Sequence, residues 1–202
     1  MQRVILTGFE PFGEDKLNPA LEIITDLSKE QLPGCELLTI KLPVVFGKAI
    51  EILEQAIAKA KPALILSIGQ AGGRNTIAVE KIGININDAR IADNEGNKPK
   101  DELIVKDGPA AYFTTIDCRR TVTAITRAGI PAILSYSAST YVCNNLIYGT
   151  LHYITTYQLP SKYGFLHVPY LPEQVAKKEK ALPSMSLAMM KKAVKIALEV
   201  NL

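Results

Sequence analysis

Short apolar runs alternate along this chain with segments whose apolar residues recur every three or four positions. Val4 to Leu6, Leu37 to Leu42, Ala63 to Ile68, Ala132 to Leu134 and Tyr163 to Leu166 read as strands. Several are apolar throughout, as strands covered on both faces should be. Helical patterns lie between them. Pro19 to Leu27 follows Asn18, a good cap, and has proline at the first helical position, where no N–H is needed. Phe46, Ile50, Leu53 and Ile57 share one stripe of a second helix that Pro62 ends, and Cys118 to Ala128, Asn144 to Thr156 and Leu187 to Val200 supply three more. Strand and helix in alternation predict an α/β domain with a mostly parallel sheet.

Between Gly69 and Asp117 the alternation breaks down. Thr76-Ile-Ala-Val-Glu80 and Ile82-Gly-Ile-Asn-Ile86 read as the two arms of a hairpin, and the stretch after them is rich in Asp, Asn, Gly and Pro. This is a long excursion from the sheet, and such loops in compact domains are usually functional or disordered.

Composition narrows the class. At 202 residues and 48% hydrophobic, the chain suits one well-buried domain, residues 1–202. The net charge of +3 comes with both signs interspersed. The lysine-rich pieces at 177–180 and Lys191-Lys192 read as solvated helix faces, not as a nucleic-acid footprint. The start has only three apolar residues in a row, Val4 to Leu6, too few for a signal peptide or a membrane span. A cytoplasmic protein is expected. Cysteines at 35, 118 and 143 fit a reducing compartment and have no paired metal spacing.

One stretch reads as chemical apparatus. The apolar run Pro131 to Leu134 passes through the small polar string Ser135 to Thr140 into Tyr141-Val-Cys143-Asn-Asn. A helix starting there puts Cys143 where free backbone N–H groups and the positive dipole end favour an anion, so its thiol should ionise easily. The alternative is that Cys143 packs as a small buried hydrophobe. A nucleophilic thiol needs an imidazole, and the chain has two histidines. His152 lies nine residues further along what reads as the same helix, roughly 13 Å along its axis and about half a turn round, so it faces away. His167 closes the run Gly164-Phe-Leu-His167, at the carboxyl end of a strand, where ligand sites form in open α/β sheets. A strand-end histidine also serves structural roles. Glu80 sits in the apolar setting Ile77-Ala-Val-Glu-Lys-Ile82, where an unpaired charge is costly; it either pairs with Lys81, faces outward, or serves an imidazole. Glycine-rich turns follow the first and third strands, Thr7-Gly-Phe-Glu-Pro-Phe-Gly13 and Gly69-Gln-Ala-Gly-Gly-Arg74. Neither matches a nucleotide-binding pattern. Phe9 and Phe12 suit the walls of a flat apolar ligand, or simply cover the sheet end.

Taken together, these pieces resemble one family. The turn at 7–13 with Asn18-Pro19, Gly69 to Arg74, Glu80, Asn87-Asp-Ala-Arg-Ile91, Asp93-Asn-Glu-Gly96, Ser135 to Asn144 and His167-Val-Pro-Tyr-Leu-Pro172 run in the order found in the pyroglutamyl peptidase I, or pyrrolidone-carboxylate peptidase, family. The resemblance covers residues 5 to about 174. It implies a cysteine peptidase on an α/β/α sandwich that removes N-terminal pyroglutamyl residues from peptides, with no metal or cofactor, assembled as a homotetramer. It places the nucleophile on Cys143, the base on His167 and the third triad member on Glu80. The implied pocket falls on Phe9, Phe12, Val44, Ile91, Tyr141 and Val142, with Gln70 and Asn18 near the lactam and Arg90 close to the oxyanion site.

Three residues depart from the family's pattern. Ser139 stands where glycine is common before the nucleophile, Lys81 where arginine follows the acid, and Gly83 where alanine is frequent. If the turn at 139 needs φ > 0, serine carries a strain that glycine does not. Two rival functions remain at this level: another α/β cysteine amidase with a different pocket, and a non-catalytic small-ligand binding protein with Cys143 packed.

Overall fold

The computed structural model describes residues 1–176 and 178–202. In chain order its elements are β1 (Gln2–Phe9), α1 (Pro19–Leu27), β2 (Cys35–Leu42), α2 (Lys48–Ala60), β3 (Leu64–Gln70), β4 (Ile77–Glu80), β5 (Ile82–Ile84), β6 (Ala111–Phe113), α3 (Cys118–Arg127), β7 (Ala132–Ser135), α4 (Val142–Thr156), β8 (Lys162–Val168), α5 (Pro172–Val175) and α6 (Leu187–Asn201). Local chemistry sets several of the boundaries. Asn18, Asp117 and Ser186 each accept a hydrogen bond from a first-turn N–H of α1, α3 and α6, and Pro19 occupies the first turn of α1. Lys61, in the left-handed conformation with φ 47°, ends α2 ahead of Pro62.

Six strands form one sheet in the order β2-β1-β3-β8-β4-β7. All adjacent pairs are parallel except β4 with β8. Strand periodicity sorts the core into two layers. Val4 and Leu6 of β1, with Leu66 and Ile68 of β3, face α1, α3 and α6; Ile5, Ile65, Tyr163 and Phe165 face α2 and α4. The result is the expected α/β/α arrangement, and each fully buried Leu or Ile contributes about 1.5–3 kcal/mol.

The expected hairpin partners are corrected. The segments at 76–80 and 82–86 do not pair with each other. Only Lys81 separates β4 from β5, and a hairpin takes at least two turn residues. β4, buried along its length, enters the main sheet between β8 and β7, while β5 pairs antiparallel with β6 in a separate ribbon. Gly83 of that ribbon lies hard against α4: a Cβ there would stand 2.7 Å from Ile147 and 2.9 Å from the Tyr148 backbone nitrogen. Alanine at 83 would therefore push the ribbon off the helix.

The lysines divide. Lys191 and Lys192 lie on α6 as expected, Lys191 paired with Asp26 and Glu30. Lys178 to Lys180 lie in irregular chain, not on a helix, and Lys177 lies outside the described residues. No helix among the described residues is long and apolar enough to cross a membrane.

Candidate active site

Register in the sheet assembles the first half of the site. Ala78 of β4 pairs with His167 of β8, so Glu80, two residues on, projects from the same face. Its Oε1 meets His167 Nδ1 at 2.8 Å, and Arg74 Nη1 reaches the same oxygen at 3.5 Å. The carboxyl group is fully buried. Burial works to raise it, and the imidazole, the Ser135 hydroxyl and the Arg74 guanidinium outweigh that, holding it below the usual carboxylate range. Lys81, the other partner open to Glu80 from sequence, turns to the opposite side, where its Nζ donates to the Thr114 carbonyl.

Cys143 is the second residue of α4, on the helical layer that covers this face. Its Sγ lies over Gly69, where a Cβ would stand 2.9 Å from the sulfur, and Gly69 pairs with His167 across β3 and β8. Sulfur and imidazole thus reach one cavity from two layers. The expectation of an easily ionised thiol is corrected. Burial, with the Glu80 carboxylate adding to it, pushes the Cys143 thiol up to about 12. Desolvation works against the helix start, so a base beside the sulfur favours its attack. The N-cap, Tyr141, offers no side-chain hydrogen bond to the first turn of α4, which leaves its N–H groups open. Ser139, in the turn before it, has φ 66°, the left-handed conformation that glycine adopts without penalty. His152 points elsewhere: its Nδ1 meets the Tyr112 hydroxyl at 3.0 Å and its ring stacks on Tyr148.

The cavity measures about 260 Å³. Phe9, Phe12, Val44, Tyr141 and Val142 supply its apolar walls, and Asn18, Gln70, Arg74 and Arg90 its polar positions. Ile91 is 50% exposed and is not among the lining residues. Asn18 is engaged at both ends of its amide, capping α1 and donating to the Glu10 carbonyl at 2.9 Å. Tyr141 is held as a wall by the edge of Phe46, ring centroids 5.3 Å apart, and by its own hydroxyl, which donates to the Ala92 carbonyl.

Several contributors escaped the sequence. Arg74 stands in a recognised turn to which the sequence gives no role, and it reaches Glu80 from the connection between β3 and β4. Asn144 fastens β5 to α4, accepting from Ile84 N and donating to the Ile84 and Ile86 carbonyls. Buried Asp93 accepts from the backbone of Phe46, Glu95 and Asn97, and Asn94 donates to Glu10 and Pro11, so the excursion clamps the turn carrying Phe12. The resemblance includes both segments, Asp93 to Gly96 and Ser135 to Asn144, but gives these side chains no role.

Comparison with known proteins gives the family. A family model described as pyroglutamyl peptidase matches residues 2–202. A pyrrolidone-carboxylate peptidase of Treponema denticola is 48% identical over 200 residues, covering 98% of this chain and 92% of the relative. One from Yersinia pestis is 45% identical, covering 100% and 95%. The crystal structure of pyroglutamyl peptidase I from Bacillus amyloliquefaciens superposes with a TM-score of 0.95 at 42% identity, covering 100% of this chain and 97% of that one. A variant of the pyrrolidone carboxyl peptidase of the hyperthermophile Pyrococcus furiosus gives 0.95 at 44% identity, covering 98% and 97%.

Proposed function

The chain belongs to the pyroglutamyl peptidase family of cysteine-type hydrolases, and on that premise we propose that it cleaves the amide bond after an N-terminal pyroglutamyl residue, with Cys143 as nucleophile, His167 as base and Glu80 as the acid that orients the imidazole. The observation carrying this reading is the buried 2.8 Å contact between His167 Nδ1 and Glu80 Oε1, beside the cavity that Cys143 lines.

The chemistry follows from these positions. Ionised Glu80 accepts a hydrogen bond from Nδ1–H, which fixes the tautomer and leaves Nε2 to accept the thiol proton. As Nε2 takes that proton, the sulfur attacks the pyroglutamyl carbonyl, and Glu80 stabilises the imidazolium that forms. The oxyanion is met by the open N–H groups at the start of α4, with Arg90 beside them; loss of one such donor costs about 10² to 10³ in rate. The imidazolium then protonates the departing amine. Water, deprotonated by His167, hydrolyses the thioester.

The cavity suits a flat uncharged ring. Apolar walls cover its faces, and Gln70 and Asn18 answer its lactam edge. Proline lacks the ring carbonyl and carries a charged amine, so it is rejected, by up to about 10⁴ in an enclosed site. Chromogenic amides of pyroglutamate, proline and glutamate separate this reading from another amidase: the first is cleaved and the other two are not. Comparable cleavage of all three would refute it. We extend the family premise to a homotetramer in the cytoplasm, the assembly being read by sizing under native conditions.

A further inference from the structure

Gln70 lines the cavity, but its amide is oriented from outside it. Gln174, buried on the short helix α5, lies between two backbone groups of opposite character. The Leu171 N–H donates to Gln174 Oε1 at 2.9 Å, and the Leu17 carbonyl accepts from Gln174 Nε2 at 3.1 Å. An N–H can only donate and a carbonyl can only accept, so the two ends of the Gln174 amide cannot exchange. Its Nε2 therefore faces Gln70 as a donor, and the Gln70 Oε1 accepts at 2.8 Å. On the other side, Asp15 Oδ2 accepts from Gln70 Nε2 at 3.3 Å. The Gln70 oxygen is drawn away to α5, and the amide group left for a ligand is the second N–H.

We infer that Gln174 is a positioning residue for substrate recognition: it holds the Gln70 amide so that the cavity presents a donor to an acceptor on the ligand, the ring carbonyl of a pyroglutamyl residue. This rests on the proposed activity and deepens it. A reversed Gln70 would set its own oxygen against that carbonyl, and two opposed acceptors repel. The arrangement also ties recognition to the catalytic base, because Gln174 follows His167 by seven residues on the same strand-to-helix connection.

The test measures kcat and KM for pyroglutamyl p-nitroanilide, and the rate at which iodoacetamide alkylates Cys143. The proteins are wild type, Gln174→Glu, Gln174→Met, Gln70→Ala and Gln70→Ala/Gln174→Glu, all full length. Glutamate keeps the shape but sets an acceptor against Gln70 Oε1; KM should rise roughly 5- to 100-fold, with kcat and alkylation near wild type. Methionine fills the same space without either polar end and should shift KM in the same direction by less. In the Gln70→Ala background, Gln174→Glu should add nothing, since its effect runs through Gln70. An unchanged KM in both Gln174→Glu and Gln174→Met overturns the inference. So does an undiminished loss without Gln70, or a loss of alkylation alongside binding. A wild type inert on pyroglutamyl p-nitroanilide overturns the substrate reading itself, and this role with it.

Discussion

The sulfur of Cys143 fills the space that a side chain at residue 69 would need: a Cβ built on Gly69 would stand 2.9 Å from Sγ and 2.8 Å from the Phe165 ring. Strand β3 thus makes room for the nucleophile by carrying no side chain opposite His167. Gly69→Ala must displace one of these groups. A misplacement near 1 Å costs about 10² in rate, so kcat on a pyroglutamyl amide should fall by about that factor, with a smaller effect on stability. Steady-state kinetics beside a urea titration read both.

The resting thiol should be protonated. Because burial and Glu80 push Cys143 up to about 12, the ultraviolet absorbance of a thiolate should be absent from the wild-type minus Cys143→Ser difference spectrum between about pH 6 and 9. Absorbance at neutral pH would show instead a preformed thiolate–imidazolium pair.

Glu80 sets a pH limit on stability. Its carboxyl is held below the ordinary value of 4.5, so the folded state favours the ionised form. That stabilisation is fully present above the unfolded value and is lost as pH falls through the depressed folded one. Wild type should therefore lose stability to urea below about pH 4.5 more steeply than Glu80→Gln, which has no carboxyl to protonate there. At neutral pH the same variant should lose about 10² to 10⁴ in kcat, since the amide can support the wrong tautomer of His167.

Ser139 has φ 66° in the turn ahead of the nucleophile. Left-handed backbone costs a non-glycine residue on the order of 1 kcal/mol or more. Ser139→Gly relieves that strain and gives back part of it as added freedom of the unfolded chain, so stability should rise by about 0.5 kcal/mol. The backbone hydrogen bond from Ser139 N to Ser137 Oγ survives the change. A chemical denaturation midpoint that moves down instead would mean the hydroxyl itself stabilises the turn.

The strands and long helices were legible because each is dictated by its own segment. Pro19 to Leu27 was readable to the residue, since an Asn cap and a first-turn proline mark its start. Topology was not legible in the same way. Nothing within 77–80 says that it joins β8 on one side and β7 on the other, so the local pattern points to 82–86 instead. The same gap hid the setting of Glu80, whose contact with His167 spans the two strands. Cys143 shows a different limit: its helix position was readable, but the desolvation that works against it depends on Gly69, Phe165 and the covering layer. Gln174 lay outside every sequence signal, because its role rests on Leu17, 157 residues away.

The most direct measurement is kcat/KM for a pyroglutamyl chromogenic amide on wild type and on Cys143→Ser, the two compared for folding by circular dichroism. Removing a nucleophile in a concerted triad costs several orders of magnitude, so cleavage should fall by at least about 10³ with the fold intact. A serine variant that cleaves the amide as fast as wild type would contradict Cys143 as the nucleophile.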